Sequence, residues 1–150
     1  MKIIVVGCGK IGAAILENLV AEGHDITAVD SNSAVVDAAM NQYDCQGVSG
    51  SGTDCNTLAE AGAAECDLFV AVTGSDEFNM LSCFMAKGLG AKHTIARIRN
   101  PEYNDHNLDF LKKQLGLDLA INPEYLAAAD AFNLKASLRR QDRNLLGQKL

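Results

Sequence analysis

The chain has 150 residues, 48% of them hydrophobic and 21% charged, the balance of one globular domain rather than of a disordered or collagen-like chain. With 19 acidic against 13 basic residues its formal charge is -6, so it should repel phosphate backbones, and nucleic acid is not an expected partner. Its longest apolar stretches, residues 3–6 and 68–72, fall far short of the ~20 that a membrane-crossing helix needs, so no direct membrane insertion is expected.

Short β-branched runs alternate with stretches of helical period. Residues 3–6 read as a first strand, followed by a helix over about 10–22. Ile11, Ala14, Ile15 and Leu19 share one face of that helix, and Gly23 marks its end. Residues 26–29 form a second strand, 33–42 a second helix, 45–48 a short third strand and 57–61 a short helix. A fourth strand, 68–72, leads to a helix capped by Ser75, with Asp76 and Glu77 in the first turn where the macrodipole favours acids. Residues 94–98, 103–115 and 119–121 read as strand, helix and strand, and Pro123 opens a final helix. Six strands separated by helices predict a Rossmann-like, doubly wound parallel sheet of the α/β class, with a C-terminal crossover helix. Their runs are continuous rather than alternating, as when helices cover both faces.

Gly7-Cys8-Gly9-Lys10-Ile11-Gly12 is G-x-G-x-x-G placed between the first strand and the first helix. Gly7 permits the tight turn, Gly9 lets a pyrophosphate approach the backbone, and Gly12 lets the helix pack close to the sheet. The helix N-terminus then presents free N–H donors to the anion. Asp30 ends the second strand 18 residues past Gly12, where a carboxylate can accept from both hydroxyls of an adenosine ribose, with Ser31 beside it. A 2′-phosphate would meet like charge there, so NAD(H), ATP or ADP is expected in preference to NADP.

Several further segments complete a pattern. They are Val70-Ala71-Val72-Thr73-Gly74-Ser75-Asp76-Glu77-Phe78-Asn79, Ile95-Ala96-Arg97-Ile98-Arg99-Asn100-Pro101-Glu102-Tyr103 and Ile121-Asn122-Pro123-Glu124. With the glycine loop they resemble the RCK or KTN domains, nucleotide-binding regulators of potassium channels and transporters, and among these the TrkA-type regulatory subunits of Trk and Ktr uptake systems. The resemblance implies a non-catalytic sensor that binds NAD(H), ATP or ADP, forms homodimers or rings of dimers, and acts on a membrane potassium transporter or channel subunit. A cytoplasmic place at the inner face of the membrane follows from the same resemblance. It matches Gly7, Gly9 and Gly12 to the phosphate loop, Asp30 to the ribose acid, Thr73 and Gly74 to positions lining the nucleotide, and Arg97 to a basic residue that can reach the phosphates. Lys10 stands where relatives often carry arginine. Glu124 matches an acid at the start of the dimer-forming helix, where with ATP it could hold Mg²⁺. Gly52 and Thr53 fall in the segment that relatives place beside the adenine, although Gly50-Ser51-Gly52-Thr53-Asp54 carries serine where the family often has an acid.

The RCK-type domain is expected to occupy residues 1–134, and 135–150 the end of the crossover helix and a tail. Relatives continue into a smaller ligand-binding subdomain, so a truncated or minimal form is expected. Tyr125, Ala129, Phe132 and Ala136 form one apolar stripe on the last helix and Ala127, Ala131, Leu134 and Leu138 another, which points to burial against both its own sheet and a partner copy. Arg139, Arg140 and Arg143 read as a solvated tail.

Other residue types bear bland readings. The five cysteines, without a Cys-x-x-Cys pair, read as small buried hydrophobes, with a redox role for Cys8 as the alternative. His24, His93 and His106 lack metal-ligand spacing. Asp76 and Asn79 read as cap and helix-face residues, and Asp76 is also a possible salt-bridge partner for Arg97. The rival function is the nucleotide half of an NAD-dependent oxidoreductase. A short-chain reductase would need Tyr-x-x-x-Lys, yet Gly47, Asn107 and Ala129 stand four residues past Tyr43, Tyr103 and Tyr125. No enzymatic activity is expected.

Overall fold

The computed structural model describes residues 1–103 and 105–122. The expected final helix, with Glu124, the two stripes, the arginine tail and the boundary at residue 134, lies outside the described residues. Six strands form one parallel sheet in the order β3-β2-β1-β4-β5-β6: β1 Lys2–Val6, β2 Asp25–Asp30, β3 Gln46–Ser49, β4 Leu68–Ala71, β5 His93–Arg97 and β6 Leu119–Ile121. Five α-helices, with one short 3₁₀ helix at Ala63–Glu65, connect them: α1 Lys10–Ala21, α2 Ser33–Gln42, α3 Cys55–Glu60, α4 Asp76–Leu89 and α5 Asp105–Leu115.

Alternation along β1 divides the core into two layers. Ile3 and Val5 face α1, where they pack with Ile15, Leu16 and Leu19, and Ala39 of α2 joins the same layer. Ile4 and Val6 face the other way, onto Leu58 of α3 and Met80, Cys83 and Ala86 of α4. Burying each of the large aliphatic side chains contributes about 1.5–3 kcal/mol. The chain leaves β1 for β2 and β3 on one side, then crosses back to β4 on the other. The crevice opened by that reversal, at the C-terminal ends of β1 and β4, is where doubly wound sheets take ligands.

Element ends differ from the expected ones where a cap decides them. Asp54 accepts from the Thr57 N–H at 3.1 Å and its hydroxyl at 2.9 Å, so α3 begins at Cys55 rather than at 57. These bonds hold the Asp54 carboxyl below the usual carboxylate range. Tyr103 belongs to a turn before α5, where its N–H donates to the Asn100 carbonyl at 3.0 Å and its hydroxyl donates to Glu77 Oε1 at 3.0 Å. No residue of α5 is fully buried, and Phe110 at its centre is 62% exposed.

Candidate functional site

β1 delivers the chain to Gly7, whose φ of +95° is left-handed and whose N–H donates to the Val29 carbonyl at 2.9 Å. Gly9 then opens α1 without any side-chain cap, so the first-turn N–H groups remain for a ligand. The glycines have separate causes. A Cβ on Gly12 would overlap the Gly7 carbonyl oxygen, so this position is where α1 touches the loop. A Cβ on Gly9 would meet nothing within 4 Å, so the space above it is open to an approaching group.

Asp30, at the end of β2, is bonded to the same loop. One carboxylate oxygen accepts from the Cys8 N–H at 2.9 Å and the other from the Asn32 N–H at 2.9 Å. Each oxygen keeps a second lone pair, enough to accept from two hydroxyls. The Gly50 N–H donates to the Asp30 carbonyl at 2.9 Å, which sets the β3 loop beside this acid.

The opposite lip is built from the ends of β4 and β5. Asn79 of α4, 0% exposed, accepts from the Thr73 N–H at 2.9 Å and hydroxyl at 2.6 Å and donates to the Thr73 and Arg97 carbonyls at 3.1 and 2.9 Å. Arg97 donates to the Thr73 carbonyl at 3.5 Å. Asp76 lies with its carboxylate on the backbone N–H groups of Arg99 and Asn100, at 3.0 and 2.7 Å, and so fastens the turn after β5 to the start of α4. Sequence reasoning took Asp76 and Asn79 for cap and helix-face residues. Ser75 is the cap, as the sequence leads one to expect, with its Oγ accepting from the Phe78 N–H at 3.2 Å, while Asp76 and Asn79 are both interior fasteners.

These ends enclose a cleft of about 550 Å³, within the range of small-molecule sites. It is lined by Gly7, Gly9, Lys10, Ile11, Asp30, Ser31, Thr73, Gly74 and Arg97, all expected from the sequence, and by Val72, which was not. Cys8, Gly12, Gly52 and Thr53 do not line it. Gly52 is buried against α4, where its carbonyl accepts from Ser82 Oγ at 2.6 Å, and the Thr53 hydroxyl is bonded to that of Ser51 at 3.0 Å. A second crevice of about 530 Å³ adjoins at Gly74, with Arg99 and Asp76 in its walls. Among the described residues no group of three or more His, Cys, Asp or Glu side chains is placed to hold a metal ion.

Cys8 faces away from ligand chemistry. Its thiol lies against the Val29 carbonyl at 3.7 Å, and burial, then the Asp30 charge, push its pKa up to about 12. At neutral pH it stays a thiol, which removes the nucleophile a redox role would need. Burial raises Cys66 to about 11 and pushes Cys83 up as well. All five cysteines are unpaired with one another, and Cys55 is exposed.

The model of the TrkA-N domain family matches residues 3–123. The chain belongs to that family. The matched residues take in the glycine loop, Asp30 and the β4 and β5 lip. Its relatives include the Trk system potassium uptake protein TrkA of Haemophilus influenzae, 42% identical over 138 residues, which are 91% of this chain and 30% of that protein. The chain therefore spans under a third of that relative's length. In fold it is similar to the GsuK channel bound to NAD, with a TM-score of 0.68 at 22% identity over 80% of this chain and 21% of that one. GsuK bound to ADP gives 0.64 at 23%, over 81% and 31%. Among the described residues no helix is long and apolar enough to cross a membrane.

Proposed function

We propose that this TrkA-N domain is a nucleotide-binding regulatory domain of a potassium-uptake system, and that its output is a change of shape rather than a chemical step. The observation that carries the reading is the pairing of an uncapped helix N-terminus over Gly9 with the Asp30 carboxylate on one cleft. The first suits a phosphate and the second a ribose, and together they fit NAD(H), ADP or ATP. The open space at Gly9 is the cradle a pyrophosphate would fill. Lys10 and Arg97, on opposite sides of the cleft, add positive charge for the same group.

The names of the relatives supply the potassium-transport setting and hence a membrane transporter or channel subunit as partner. Such a partner would place the domain at the cytoplasmic face of the membrane. Self-association fits the surface of the helices: Leu81 and Phe84, one turn apart on α4, are 48% and 47% exposed, and Phe110 lies open on α5. Dimerisation through the final helix, and Mg²⁺ held at Glu124 beside ATP, belong to the same reading. The oxidoreductase alternative is the weaker reading, because the sequence carries no Tyr-x-x-x-Lys pair of the kind a short-chain reductase uses.

Regulation requires that nucleotides bind two shapes of the protein unequally. Small-angle scattering of the purified domain with NADH, NAD, ADP and ATP, each with and without Mg²⁺, should give profiles that differ between at least two ligands. Identical profiles throughout would leave a static pocket and contradict the regulatory reading.

A further inference from the structure

The hydrogen bonds of Asn79 decide a property of the cleft that residue types alone do not. A carboxamide offers two donors and two acceptor lone pairs, and Asn79 uses all four, on two residues that line the cleft. Its orientation is dictated by groups of fixed polarity. The amide nitrogen faces two backbone carbonyls, those of Thr73 and Arg97, while the oxygen faces the Thr73 N–H. A flipped amide would set oxygen against two carbonyl oxygens and nitrogen against an N–H, so only one assignment is stable.

That orientation fixes the Thr73 hydroxyl proton. The hydroxyl has one proton and two acceptor candidates, Asn79 Oδ1 at 2.6 Å and the Ser75 carbonyl at 3.4 Å. The shorter contact has the geometry of a strong O–H···O bond and takes the proton. The Ser75 N–H, at 3.3 Å, points at one lone pair of the same oxygen. What the hydroxyl has left for a ligand is a lone pair.

We propose that Asn79 is a positioning residue that holds the Thr73 hydroxyl as a hydrogen-bond acceptor, so that the β4 lip favours a ligand carrying a hydroxyl there over one carrying a phosphate oxygen. The sheet order says which ligand that is. β1 lies between β2 and β4, so Thr73 stands two strand spacings from Asp30, about 10 Å, with the glycine loop between them. With an adenosine ribose on Asp30 and phosphates over the loop, the next group is a second ribose in a dinucleotide. In ATP it is the terminal phosphate, whose last proton is mostly gone at neutral pH, and in ADP, whose two phosphates match the pyrophosphate, the place is left empty. Thr73 and Asn79 thus bias the site toward NAD(H) over ADP, while Arg97 serves the phosphates of both.

The inference rests on the nucleotide-binding reading, and calorimetry with NADH and ADP on the same protein separates the two. If the unmodified domain binds neither, the functional reading itself fails. If it binds, Thr73→Val, which keeps the shape and removes the hydroxyl, should weaken NADH by about five- to tenfold. ADP should stay within about twofold. Thr73→Ser should restore the original ratio. Asn79→Asp keeps an acceptor for the hydroxyl but loses both carbonyl bonds, so it should lower Tm while preserving the NADH-to-ADP ratio. Asn79→Leu should bring that ratio to the Thr73→Val value, and if it does not fold, the Thr73 pair decides alone. Equal weakening of NADH and ADP by Thr73→Val, or loss of ADP alone, would overturn the proposal.

Discussion

Gly9→Val should cost nucleotide affinity with little change in Tm, whereas Gly12→Ala should lower Tm clearly before any ligand is added. The two glycines lie three residues apart in one motif, yet their surroundings separate them. A Cβ at Gly9 meets no protein atom within 4 Å, and its φ of -70° is open to any residue. The cost to folding is therefore limited to what an N-cap exchange carries, from a few tenths of a kcal/mol to about 1 kcal/mol. The added methyls would stand where a phosphate must approach, and losing its bonds to the helix N-terminus costs about 3 kcal/mol, more than a hundredfold in affinity. At Gly12 the new Cβ overlaps the Gly7 carbonyl oxygen and lies 2.8 Å from its carbon. Backbone cannot swing aside as a side chain can, so α1 must lift from β1. That places the cost near the upper end of the overpacking range, about 3 kcal/mol. In a domain of this size the melting temperature should fall by about 10 °C. Thermal unfolding and ADP calorimetry on both variants check the pair. Gly9→Val binding ADP as the unmodified domain does would refute the phosphate assignment.

Asp30→Ala should weaken NADH by about 1–3 kcal/mol, as expected when hydrogen bonds to a charged group are lost. The carboxylate acts twice: it offers lone pairs to a ribose, and it anchors the Cys8 and Asn32 N–H groups. Asp30→Asn, which keeps one acceptor oxygen, should fall between. NADPH should bind the unmodified domain at least tenfold more weakly than NADH, a difference of only ~1.4 kcal/mol. Removing the carboxylate should shrink that gap, because the charge that repels a 2′-phosphate is gone. Equal affinities for NADH and NADPH before mutation would overturn the role of Asp30.

The sheet and one side of the cleft were legible because their causes are local. Continuous β-branched runs announce strands covered on both faces, and the glycine spacing with an acid at the next strand end is a contiguous pattern. Gly12 was read for close packing, and the overlap with Gly7 is that packing. The opposite lip was only half legible. Thr73, Gly74 and Arg97 were found through family likeness, but Asn79 looked like one more polar residue on a helix. Its partner at Arg97 lies 18 residues along the chain, and that of Asp76 at Arg99 lies 23. Helical period cannot report bonds that depend on two strand ends meeting. Gly52 and Thr53 were placed at the ligand by likeness to a segment whose acid this chain lacks. Here the loop is bonded to Ser82 and to itself, though it remains beside Asp30.

The central claim is that the cleft between Asp30, the glycine loop and the β4 and β5 ends binds an adenine nucleotide. Mass spectrometry of the small molecules released on denaturing the purified domain tests it most directly. NAD(H), ADP or ATP should be released from the unmodified domain, and in clearly smaller amount from Gly9→Val and Asp30→Ala prepared alongside. Release of no nucleotide, together with no calorimetric heat from millimolar NADH or ADP, would contradict it.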